Sequence, residues 1–134
     1  MKVRWTEGSI RFRITPSELE TMRLGRPIGV ALRVLDQSWT ATIIPGSLTT
    51  SISLRGGDFT VSLSASDLHR LMAPDAEGVY FSAGTEPRLR YFIEKDFPCI
   101  HPRPEEALEL DAETFAAPAG FADKHQRTAS ACAS

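Results

Sequence analysis

The sequence has few cysteines, few aromatic residues, no long apolar run and no excess of either charge, and each shortage removes a class of protein. Two cysteines in 134 residues, Cys99 and Cys132, are too few for the disulfide scaffold of a small secreted domain. No apolar stretch reaches bilayer-spanning length and the opening MKVRWTEG lacks the apolar core of a signal peptide, so a cytoplasmic protein with no membrane partner is expected. A net charge of −2 selects no partner in bulk, which leaves the placement of individual charges as the informative quantity. The few aromatics mostly occupy inward positions of the strand alternation, where they cannot form a stacking platform, so nucleic acid is disfavoured. Trp5 and Trp39 are read by the same argument as core or barrel-filling residues.

What is present is a strict period of two. Val3 and Trp5 alternate with Lys2, Arg4 and Thr6, then Ile10, Phe12 and Ile14 alternate with Ser9, Arg11 and Arg13, which marks two half-buried strands. Glu7-Gly8 between them is a two-residue hairpin connection, with Gly8 able to supply a positive φ. Thr15-Pro16-Ser17-Glu18 follows: a capping hydroxyl, proline at the first helical position and a carboxylate three residues on predict a short helix ending near Gly25.

The same grammar returns 49 residues later. Gly8 falls on Gly57, Ile10, Phe12 and Ile14 on Phe59, Val61 and Leu63, Val3 and Trp5 on Ile52 and Leu54, Thr15 on Ser64, Glu18 on Asp67, Leu19 on Leu68 and Val30 on Val79. Each half continues with two strand-like runs, residues 28–35 and 39–44 in the first, 79–83 and 88–94 in the second. The expectation is an α+β, mostly antiparallel protein of two duplicated ββαββ units, about 1–47 and 48–97, forming a curved sheet or closed eight-stranded barrel with two short helices. A single domain over 1–103 and an acidic, then Ala/Ser-rich, partly disordered tail over 104–134 complete the organisation.

The hairpin register sets Lys2 opposite Arg13 and Arg4 opposite Arg11, so four cations share one face. Like charges directly opposite each other are unfavourable, and something beyond the hairpin must compensate: neighbouring strands, the acidic stretch 105–113, or a bound anion. The second half has Ser51, Ser53, Thr60 and Ser62 at the matching places, so the architecture does not require this charge. Arg33, Arg88 and Arg90 extend the surface if their strands lie adjacent.

The segment IEKDFPCIHPR gathers Glu94, Lys95, Asp96, Cys99, His101 and Arg103 within ten positions, with Pro98 and Pro102 stiffening an extended exit from the sheet. Cys99 and His101, two apart on an extended segment, point the same way and form half of a metal site, with Asp96, His69 or His125 as further candidate ligands. Glu94 and Asp96 are candidate general acid and base, weighed against simple ion pairing with Lys95 or an arginine. His69 beside Arg70 reads as a solvated helix face and Gly56-Gly57 as a hairpin turn.

The opening SIRFRITPSE and the late IEKDFPCIHPR together resemble a family of small bacterial proteins of unknown function. Its members start with a similar basic strand and Ser-Glu helix start, and close with an Ile-Glu-Lys-Asp-Phe-x-Cys segment and an acidic tail. The resemblance implies a bacterial cytoplasmic origin and no chemistry. Barrel-forming phosphohydrolases that enclose a triphosphate are an analogy that the chain departs from, since it lacks their alternating Glu-x-Glu-x-Lys.

Three readings follow. The first is a binding or accessory domain, more a binder than an enzyme, that holds an anionic small molecule or an acidic protein partner on Lys2, Arg4, Arg11 and Arg13. The others are a metal-binding protein centred on Cys99 and His101 and a hydrolase of a phosphorylated small molecule using Glu94 or Asp96. The sequence names no cofactor.

Overall fold

A computed structural model describes residues 1–98 and 113–120. Its elements run β1 (Lys2–Thr6), β2 (Ser9–Ile14), α1 (Pro16–Arg23), β3 (Ile28–Val34), β4 (Gln37–Ser47), β5 (Ser51–Arg55), β6 (Asp58–Ser64), α2 (Ala65–Met72), β7 (Gly78–Ala83) and β8 (Leu89–Lys95). Every expected strand and both helices are present, and the order ββαββ occurs twice.

Hydrogen bonding divides the strands into two four-stranded sheets, here sheet A in the order β1-β2-β8-β7 and sheet B in the order β3-β4-β6-β5. No closed barrel is found among the described residues. Nor is the pairing wholly antiparallel: each sheet joins two hairpins through a parallel central pair, β2 with β8 and β4 with β6. The reason is the helix between the hairpins, which carries the chain across to the other sheet, so each half gives its first hairpin to one sheet and its second to the other.

The two sheets repeat each other's register. Val3–Phe12–Ile93–Val79 forms one inward row across sheet A, and Ile52–Val61–Ile43–Ile28 forms its counterpart in sheet B. Together with Ile10, Ile14, Met22, Leu63, Leu68 and Leu71 they form one core. The row makes Ile28 the partner position of Val79. The sequence match of Val30 with Val79 is displaced by two, because Val79 is buried and Val30 is exposed.

Local signals explain the helices. Thr15 accepts from the Glu18 amide while Glu18 accepts from the Thr15 amide, a complete capping box with Pro16 behind it. At the other end Gly25 has φ 80° and the Arg26 amide reaches the Thr21 carbonyl, the left-handed stop expected there. Ser64 caps α2 on the Asp67 amide. One turn differs from expectation: Gly56 has positive φ and Gly8 does not, since Glu7 holds the place of Gly56 in the first hairpin and a side chain resists that conformation.

Residues 113–120 lie against the domain. Glu113 accepts from the backbone and side chain of Ser17 in the first turn of α1, and the Phe115 amide donates to the Asp96 carbonyl while its ring lies 6.0 Å from that of Phe97. No helix among the described residues is long and apolar enough to cross a membrane.

Candidate functional site

The outward face of sheet A is where the sequence places its cations, and the observed register is the expected one: Lys2 opposite Arg13, Arg4 opposite Arg11. The parallel neighbour β8 adds Arg90, Phe92 and Glu94 to the same face, beside Ser9, Arg11 and Arg13, and β7 adds Ser82, Tyr80 and Gly78. Arg90 therefore extends the surface as anticipated. Arg33 does not, because β3 belongs to the other sheet. Arg88 is exposed and immediately precedes β8.

Among the described residues, compensation for the like charges comes from β8 and its exit; of the acidic stretch 105–113 also expected to supply it, residues 105–112 lie outside the described residues. Glu94 Oε2 lies 3.3 Å from Arg11 Nε and 4.0 Å from Arg13 Nε, and Asp96 Oδ2 lies 2.9 Å from Lys2 Nζ. Asp96 is itself buried. Glu94 fits between its partners because Gly78 stands opposite: a Cβ there would meet the Ile93 carbonyl at 2.7 Å and Glu94 Cγ at 2.9 Å. Both carboxylates are thus spent on holding cations in place, the ion-pair role weighed for them above. Among the described residues of sheet A and its exit, five cations, Lys2, Arg4, Arg11, Arg13 and Arg90, stand with the carboxylates of Glu94 and Asp96, in a chain whose total charge is negative.

The face also carries two rings that the alternation argument missed. Tyr80 and Phe92 are directly paired across β7 and β8 and point outward, with centroids 5.5 Å apart. The Arg11 and Arg90 guanidinium carbons lie 5.6 and 5.9 Å from the Phe92 centroid. Burial, then the charges of Glu94 and Glu77, push the Tyr80 hydroxyl above its ordinary value, so it stays protonated through neutral pH and can donate. The signal was available: in GVYFSA and LRYFIEK two aromatics stand side by side, so one of each pair must face out.

Lys95, one residue on from Glu94, points the other way. It is buried, Nζ donates to the Ala73 carbonyl at 2.8 Å, and the Phe115 ring lies 5.6 Å from it. Burial lowers its ammonium below the ordinary lysine value, against the smaller opposing effect of Asp75. Cys99, His101, Arg103 and His125 lie outside the described residues. Among those that are described, no three His, Cys, Asp or Glu gather to hold a metal, and His69 is exposed on α2.

A concavity opens between β1 and the β3–β4 hairpin, a mainly apolar cleft of about 350 Å³ lined among others by Trp5, Val30, Leu32, Trp39 and Phe59. Trp5 and Trp39 stack across it with centroids 6.1 Å apart and remain 54% and 45% exposed. The expectation that they fill the core is corrected here. They stand toward the hairpin ends of their strands, past the partly buried Val3 and its buried partner Phe12, at the margin of the space between the sheets.

No curated protein and no solved structure matches the chain. A family model does, over residues 1–118, which takes in both sheets, both helices and the segment bearing Glu113 and Phe115. The chain belongs to that family, described as a family of unknown function (DUF7009).

Proposed function

We propose that the protein is a small binding domain that holds an anionic ligand or acidic partner segment on the outward face of sheet A, through Lys2, Arg4, Arg11 and Arg13 with Arg90 beside them. The observation that carries this reading is the gathering of cations on a face whose backbone pattern does not require them. Sheet B has Ser51, Ser53, Thr60 and Ser62 at the places of Lys2, Arg4, Arg11 and Arg13. Duplication of an ancestral ββαββ unit accounts for the matching registers, and later charging of one copy's hairpin accounts for the difference. Arginine suits this role because its planar fork meets phosphate or carboxylate with paired hydrogen bonds.

The test is a titration with inorganic polyphosphate at low and high salt. Arg4→Ser combined with Arg90→Ser removes two exposed cations while leaving the Glu94 pairs intact. Binding is expected to weaken as salt rises and to fall about tenfold or more in the double variant at an unchanged melting temperature. No binding at low salt, or binding indifferent to both changes, sinks the reading.

A further inference from the structure

We propose that the anion held on this face is a single-stranded nucleic acid, its phosphates meeting the arginines and its bases stacking on Tyr80 and Phe92. The inference rests on the anion-binding reading and deepens it. Its basis is one row of residues across sheet A: Arg4, Arg11, Phe92 and Tyr80 are consecutive cross-strand neighbours, all outward. The same row of sheet B reads Ser53, Thr60, Thr42 and Gly29. Backbone and register are shared, so neither the guanidiniums nor the rings are needed to build the sheet. One face has acquired both together.

The pairing of chemistries names the ligand. Arginines alone serve any phosphate or carboxylate, and a bare inorganic anion gains nothing from a ring. A ring pair on the open face of a four-stranded sheet, its rings tilted 58° to each other and flanked by guanidiniums, offers stacking surface and charge side by side, which matches a strand of alternating bases and phosphates. Tyr80 is 55% exposed, so a base reaches it without rearrangement. With strands about 4.8 Å apart the row spans roughly 14 Å, room for two or three stacked bases. A duplex fits poorly, because its bases are already stacked on each other. Glu94, a carboxylate within this face, already lies against Arg11 and Arg13.

The experiment compares labelled decamers of uridylate and deoxyuridylate with an abasic deoxyribose-phosphate decamer, by fluorescence anisotropy on the full chain at low salt. Both base-bearing strands are expected to bind more tightly than the abasic one, and whichever is tighter identifies the preferred sugar. Tyr80→Ala should weaken the base-bearing strands roughly tenfold and leave the abasic strand unchanged, while Tyr80→Phe restores binding. Equal affinity for abasic and base-bearing strands, or a Tyr80→Ala variant that weakens neither, overturns the inference but leaves the anion site standing. If polyphosphate also fails to bind, the anion site falls with it.

Discussion

Two hairpins hold the same place in their sheets and treat the space between the sheets differently. In sheet A the row Trp5–Ile10–Tyr91–Phe81 ends on two aromatic rings, stacked at 5.1 Å, and Tyr91 is buried. In sheet B the matching row Leu54–Phe59–Ala41–Val30 ends on two small side chains. The side with the rings buries Tyr91 and half-buries Phe81, and the side without them holds the cleft beneath Trp5 and Trp39. One backbone plan thus tolerates a packed flank and an open one, and the choice is made by two cross-strand pairs. The outward faces differ in the same spirit, cationic and aromatic on sheet A, hydroxyl-rich on sheet B.

The sharpest way to break the comparison is to make the ring-bearing flank resemble the open one. Tyr91→Ala removes a buried ring that stacks on Phe81, and the loss of transfer energy and the residual cavity together should cost about 3 kcal/mol. Urea unfolding measures it. The cleft-side counterpart Val30→Ala, at a half-open position, should cost well under half of that. Equal costs for the two would mean that the flanks are packed alike in solution.

Much of this plan was legible in the chain. Period-two alternation placed the strands, and Thr15-Pro16-Ser17-Glu18 placed α1, because those signals are local. The register of the first hairpin followed from a two-residue turn, and with it the cationic face. Sheet pairing was not legible: nothing local tells β2 that its neighbour is β8, eighty residues on, in parallel. That hidden pairing brings Glu94 to Arg11 and Arg13 and sets Phe92 beside them, so the site could be half seen. Trp5 and Trp39 misled because alternation gives the direction of a side chain but not how far along the strand the core extends.

The two helix starts offer a finer comparison. In α1 the carboxylate of Glu18 reaches back to the Thr15 amide, whereas in α2 the Ser64 amide is taken by the Thr50 hydroxyl, which in turn donates to Asp67 at 2.6 Å. The Thr50 hydrogen bond is the chief cause that holds Asp67 below its ordinary value, with burial opposing and Ser64 and Arg70 assisting. A carboxyl depressed on folding contributes stability that is present above the unfolded value, near 3.8, and is lost as pH falls through the folded one. Asp67→Asn should therefore cost about 1 kcal/mol at neutral pH. Its melting temperature should converge with that of the parent in acid, and a gap that persists at pH 2 would assign the effect to packing.

The smallest effect lies at the tip of the open flank. The β3–β4 turn puts Leu35 at φ 57°, the one positive-φ residue other than glycine among those described, and leaves it 97% exposed. A branched side chain resists the left-handed region and gains no burial there in return, whereas asparagine enters it readily. Leu35→Asn should raise stability by about 0.5 kcal/mol, seen as a small rise in melting temperature independent of protein concentration. A fall instead, growing with concentration, would show that Leu35 is covered in solution by a second copy, and the open flank would then be a contact surface.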